Sequence, residues 1–107
     1  MIVDPIAFLI ASVQTAILYA MQLKVQKTPN PNALKFVLPA KKFGQPLNFP
    51  SVEAAAAHPL AAQLFALGTI YNVFMVQDFI TINKLPHVAW VELEAAIQTL
   101  ISEYFRE

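Results

Sequence analysis

Apolar and polar residues alternate from Leu23 to Lys27, and again where Leu34, Phe36 and Leu38 share one parity. A period of two predicts two short strands. Between them lies "KTPNPNALKF", residues 27–36, whose two prolines, Pro29 and Pro31, are flanked by Asn30 and Asn32. Proline fixes φ, removes a donor and disfavours helix in the residue before it, so this stretch reads as a turn between strands. Pro39 ends the second strand, and Gly44, Pro46 and Pro50 mark 39–50 as a loop with a brief extended piece around Leu47–Phe49. Ser51 then offers a helix N-cap with Glu53 in the first turn, leading into "VEAAAAH". Pro59 opens a renewed helix, "PLAAQLFAL", stopped by Gly68.

Ile70–Val76 and Phe79–Asn83 are rich in β-branched and aromatic residues, and Gln77 and Asp78 between them predict a tight hairpin. After Pro86, Trp90, Leu93, Ile97, Leu100 and Tyr104 recur at spacings of three and four, with Glu92, Glu103 and Arg106 elsewhere on the wheel. That predicts an amphipathic helix of roughly 16 to 18 residues laid on a sheet. The element order gives an α+β fold: a small ββαββα two-layer sandwich, its sheet mostly antiparallel and its helices on one face. An extra apolar helix would precede it. The expected division is an extension over 1–20 and a domain over 21–107.

The N-terminal segment is distinctive. Nothing between Asp4 and Lys24 is charged, and the run falls just short of the roughly 20 apolar residues of a membrane span. Ser12, Thr15, Tyr19 and Gln22 form a thin polar stripe at helical spacing. An acid before the apolar run argues against a signal peptide. Three readings stay open: a single membrane anchor, a helix packed on the domain or on a second copy, or an extension upstream of an initiator at Met21.

With a formal net charge of zero over 107 residues, no global field recruits nucleic acid. The charge is nevertheless uneven. Lys24, Lys27, Lys35, Lys41 and Lys42 lie early with no acid among them, whereas Glu92, Glu94, Glu103 and Glu107 face only Arg106. The lack of cysteine excludes disulfides and thiolate ligation of zinc or iron–sulfur clusters by this sequence. His58 and His87 flank prolines, and Asp78 sits at the expected hairpin tip. These three are the only weak metal candidates, and capping and turn roles are the default for them. No nucleophile set, Gly-rich loop or acid pair is evident, so an enzyme is not expected and no cofactor is implied.

"TPNPNALKF" resembles the signature of the N-terminal domain of Nfu/NifU-like iron–sulfur scaffold proteins. "HPLAAQLFAL", "IYNVFMVQDFITINK" and the Trp-led "AWVELEAAIQTLISEYF" follow in that domain's order, so the resemblance covers Met21 to Phe105. It implies the same α+β domain, acting in iron–sulfur cluster assembly or delivery through assembly factors or client apoproteins. The family's Cys-x-x-Cys domain has no counterpart in this sequence. The expectation is therefore a cytoplasmic accessory and interaction domain that is not itself a cluster ligand, with partner contacts at Asn30, Asn32, Lys41, Lys42, Phe43, Gln77 and Asp78. Two alternatives accompany it: a membrane-tethered or self-associating adaptor acting through residues 5–23, and a weak iron-binding protein.

Overall fold

The computed structural model describes residues 23–106; the expected apolar helix and the 1–20 extension lie outside them. The strands are β1 (Lys24–Lys27), β2 (Ala33–Val37), β3 (Phe43–Phe49), β4 (Ile70–Gln77) and β5 (Phe79–Lys84), and the helices α1 (Val52–Ala55), α2 (Pro59–Phe65) and α3 (Trp90–Tyr104). The strands form one antiparallel sheet in the order β1-β2-β5-β4-β3. The α+β sandwich with hairpins β1–β2 and β4–β5 is as expected, and it gains a strand.

That strand is β3. Its sequence, Phe-Gly-Gln-Pro-Leu-Asn-Phe, carries a helix breaker and a proline, which argue against a central strand. β3 is an edge strand pairing only with β4, and its register shifts between Phe43 and Leu47. A bulge at a sheet edge is where a proline without a ladder donor is tolerated.

Successive strand residues point to opposite faces. Val25, Phe36, Ile80, Met75 and Leu47 stand opposite one another in neighbouring strands and form an apolar row across all five. Phe36, Ile80 and Met75 are fully buried. The helices cover this face: Leu60 and Leu64 of α2 and Leu93, Ile97 and Ile101 of α3 join the same core. In α3 the buried stripe therefore runs through Ile101, while Tyr104, expected on it, is 38% exposed.

The helices start and stop as their end residues dictate. Ser51 Oγ accepts from the Ala54 N–H at 3.1 Å, capping α1. The alanine run nonetheless stays helical for only four residues, because His58, preceding Pro59, is extended at φ −125°, ψ 120°. After α2 the chain turns at Gly68 with φ +80°, which an L side chain adopts only at a conformational cost.

Candidate partner-docking site

The residues singled out for partner contact fall at two opposite ends of the sheet. Ala33 pairs with Asn83 and Val37 with Phe79, so the β1–β2 turn lies beside the end of β5 and the β4–β5 tip beside the end of β2. Five strand residues separate the two ends, about 17 Å. Asn30 and Asn32 are thus not brought together with Lys41, Lys42, Gln77 and Asp78.

At the first end the Pro/Asn turn is a latch. Asn30 Oδ1 accepts from the Asn32 N–H at 2.9 Å, and Thr28 Oγ1 accepts from the Asn30 N–H at 3.2 Å while lying within reach of the Asn30 and Ala33 carbonyls. Three bonds then tie the turn to distant elements. The Lys84 N–H donates to the Asn32 carbonyl at 2.8 Å, and Lys84 Nζ to Asn32 Oδ1 at 2.9 Å. The Trp90 indole N–H donates to the Pro31 carbonyl at 2.9 Å. Lys84 is only 5% exposed, and its ammonium lies 5.7 Å from the Trp90 ring centroid. Asn32 is therefore committed to a buried ammonium, and only Asn30 of the pair stands exposed. Sequence reasoning missed Lys84. The signal was its parity: Ile80, Ile82 and Lys84 alternate on the buried side of β5.

At the other end, the β4–β5 hairpin turns through Gln77 and Asp78 between the paired Val76 and Phe79. Gln77 has φ +52°, and among the described residues it is the only non-glycine with positive φ. Positive φ at the first turn position alone is the pattern of a II′ turn, which favours glycine there. The left-handed dihedral thus falls on Gln77 and not on Asp78. The segment 38–42 straps over this tip. The Leu38 N–H donates to the Asp78 carbonyl at 2.6 Å and the Lys42 N–H to the Gln77 carbonyl at 2.9 Å. Lys41, Lys42 and Gln77 are exposed and Asp78 half-buried. Pairing of Lys24 with Val37 adds a third exposed lysine to this end.

Phe43 is corrected. Expected on an exposed loop, it begins β3, is 7% exposed, and packs edge-on against Phe105 with ring centroids 5.9 Å apart. The 39–50 segment is mostly strand, and the parity that aims Lys42 outward aims Phe43 into the core. Lys42 extends over the same Phe105 ring at 5.7 Å.

The metal candidates lie apart. Asp78 is at the tip, His87 is exposed in the turn after β5, and His58 caps α2. Among the described residues no three of His, Asp and Glu gather where they could hold a metal ion. His58 Nδ1 accepts from the Ala61 N–H at 3.4 Å, and its ring lies 5.5 Å from that of Phe49 and 5.7 Å from that of Tyr104. Burial there disfavours the imidazolium and lowers the pKa below its ordinary 6.5. The unfolded chain therefore binds this proton more readily. The contribution to stability is complete above about pH 6.5 and is lost as pH falls below it. Protonation of Nδ1 also removes the cap acceptor. Acidification from about pH 7 to 5 is therefore expected to destabilise the fold through this residue. In thermal unfolding followed by circular dichroism, His58→Asn, which keeps a cap acceptor, should flatten that part of the pH dependence.

Three comparisons bear on this arrangement. The family model described as "Scaffold protein Nfu/NifU N terminal" matches residues 23–107. A human relative named NFU1 iron-sulfur cluster scaffold homolog, mitochondrial, is 39% identical over 88 residues, covering 79% of this chain and 34% of its own length. The NifU-like protein 4, mitochondrial, of Arabidopsis thaliana is 31% identical over 87 residues, covering 79% of this chain and 30% of its own length. The chain thus spans about a third of the curated relatives it matches. The solution structure of a NifU-like protein from Saccharomyces cerevisiae superposes with a TM-score of 0.72 at 27% identity, covering 82% of this chain and 83% of that one. Among the described residues no helix is long and apolar enough to cross a membrane. A fold that closes its Thr-Pro-Asn-Pro turn onto a buried lysine and a Trp-led helix, together with a family match running from the first described strand to the last residue, shows that this chain belongs to the Nfu/NifU N-terminal family of iron–sulfur cluster scaffold proteins.

Proposed function

We propose that this chain is a non-catalytic docking module of iron–sulfur cluster assembly or delivery, which binds assembly factors or client apoproteins and is not itself a cluster ligand. The strapped hairpin tip carries the reading. A polar, exposed loop on a rigid sheet end is where binding residues concentrate. Here two cross-bonds hold it, and a glutamine rather than a glycine occupies the positive-φ position. Strain retained at an exposed tip is a pointer to function. Lys24, Lys41 and Lys42 give that end a basic character suited to an acidic partner surface. Asn32 and Phe43, committed to the latch and the core, drop out of the docking set. Asn30 lies at the opposite end and serves as an internal control. The absence of cysteine from the sequence supports a module that works beside thiolates supplied by another domain or chain. The compartment follows the partner: the curated relatives cited above are named mitochondrial, and the cytoplasm is the alternative.

The test is quantitative affinity capture from native extract with the full chain as bait. Iron–sulfur assembly proteins or apoproteins should be enriched by the wild type and recovered about tenfold less by Lys41→Glu/Lys42→Glu, a loss of about 1.4 kcal/mol. Asn30→Ala should leave recovery unchanged. Gln77→Gly should raise stability by about 1 kcal/mol by relieving the left-handed backbone, while lowering capture. Equal capture by all four baits removes the tip from the interface.

A further inference from the structure

The sheet has a second face, and among the described residues no helix covers it. Lys24, Val37, Phe79 and Val76 stand opposite one another in one row on it, and Lys35, Thr81 and Phe74 in the next. The apolar members are half-buried, whereas Phe36, Ile80 and Met75 on the helix-covered face are fully buried. An antiparallel sheet with one wet face normally reads apolar-in, polar-out. β4 and β5 do not. "VFMV" over 73–76 and "FITI" over 79–82 are nearly continuous apolar runs, the pattern of strands with helices on both faces.

Charge also marks this face. Neither row holds an acid, and both lysines stand on β1 and β2, to one side of the Phe74–Phe79 pair. The two rings lie 6.5 Å apart, and Lys35 Nζ sits 4.1 Å from the Phe79 ring centroid. Among the described residues neither lysine meets a carboxylate; the ion pair formed there joins Arg106 to Glu103. Val76 and Phe79 flank the Gln77–Asp78 turn, so the face runs without interruption into the docking tip.

We propose that this face takes an amphipathic helix of a partner protein. The helix seats its apolar stripe on Phe74 and Phe79 and carries Asp or Glu along the flank that meets Lys35 and Lys24. The inference rests on the docking reading above and gives the partner its chemistry: aromatic anchors supply the contact, and the one-sided lysines set its orientation. Charge complementarity selects this occupant over the others. Residues 5–23 of this chain contain no carboxylate to answer the two lysines. A second copy offers Glu92 and Glu94 on α3, but the stripe beside them, Leu93, Ile97 and Ile101, is buried in that copy's own core. A nucleobase would need the Phe79 ring over which Lys35 already lies.

The experiment titrates the full chain, isotope-labelled for NMR, with synthetic helical peptides of about 15 residues. Each has one leucine stripe, bordered on one side by glutamate, glutamine or lysine. The glutamate peptide should shift the amides of Val37, Phe74, Val76 and Phe79 and bind about tenfold more tightly than the glutamine peptide, an advantage lost at high salt. Lys35→Glu, with its fold checked by circular dichroism, should reverse the order and favour the lysine peptide. Equal binding of the glutamate and glutamine peptides to the wild type, or shifts that avoid Phe74 and Phe79, overturns the proposal. So do face shifts that appear on concentrating the chain without peptide, which make the face a self-association surface. Lys35-dependent co-sedimentation with phosphatidylserine vesicles, with no peptide bound, overturns it as well. The two readings fail separately. If Lys41→Glu/Lys42→Glu loses partners from extract while Lys35→Glu changes neither capture nor peptide binding, the tip stands and the face falls. If the tip variant captures normally and the peptide order still reverses in Lys35→Glu, the face stands alone.

Discussion

Phe36→Ala is expected to remove most of the stability of the described domain. Phe36 is fully buried in β2, opposite Val25 on one side and Ile80 on the other. Truncating a buried phenylalanine costs about 3–5 kcal/mol, the lost transfer energy plus the cavity left behind. An 84-residue fold carries about 4–13 kcal/mol in total at typical stability per residue. The cavity would open in the row that joins all five strands, flanked by Ile80 and, beyond it, Met75, both fully buried and unable to relax outward. The urea midpoint should fall by about 2 M or more with the slope unchanged. Phe79→Ala, one residue from Ile80 but on the opposite face and only half-buried, should cost about 1 kcal/mol in the same titration. Equal losses from the two would mean that the helix-covered face does not hold the dominant core.

The same contrast shows what the sequence made legible. Parity alone placed Leu34, Phe36 and Leu38 together, and all three are buried. Ser51, Pro59 and Gly68 marked helix ends that the structure keeps, because capping and dihedral limits act within a few residues. β3 was legible only as a brief extended piece. Its apolar residues are spaced irregularly around Pro46, and its strand character comes from pairing with β4, which no local signal encodes. The alanine run misled in the other direction. High propensity does not sustain a four-residue helix once the next residue must be extended before a proline. In the candidate site, the break at Gln77 and Asp78 was readable, but the strap over it was not. That strap depends on the register of β2 against β5, residues more than forty apart in sequence. Phe43 was misread for the same reason: its neighbour Phe105 comes from the far end of α3.

The Pro/Asn turn owes its form to a partner 52 residues away, and removing that partnership is the second large effect expected. Asn32→Ala leaves the Lys84 ammonium buried, with only the Leu85 carbonyl, at 3.4 Å, within reach. An unsatisfied buried polar group costs about 1–3 kcal/mol, and more when it is charged. A loss of about 3 kcal/mol is therefore expected in chemical unfolding. Backbone strain does not confuse the reading, since Asn32 is not among the positive-φ residues and its side chain does not brace the turn, a task left to Thr28 and Asn30. Lys84→Met removes the charge and keeps a side chain of similar length against Trp90. The Asn32 oxygen it leaves behind is half-exposed and can turn to water, so about 1 kcal/mol is expected. The double variant should then be more stable than Asn32→Ala alone, a coupling of about 2–3 kcal/mol across the turn. Simple additivity would show that the bond is incidental. The latch lies about 17 Å from the hairpin tip. Partner capture should therefore survive Asn32→Ala wherever the protein stays folded, so the Pro/Asn turn would serve the fold, and the hairpin tip would serve the partner.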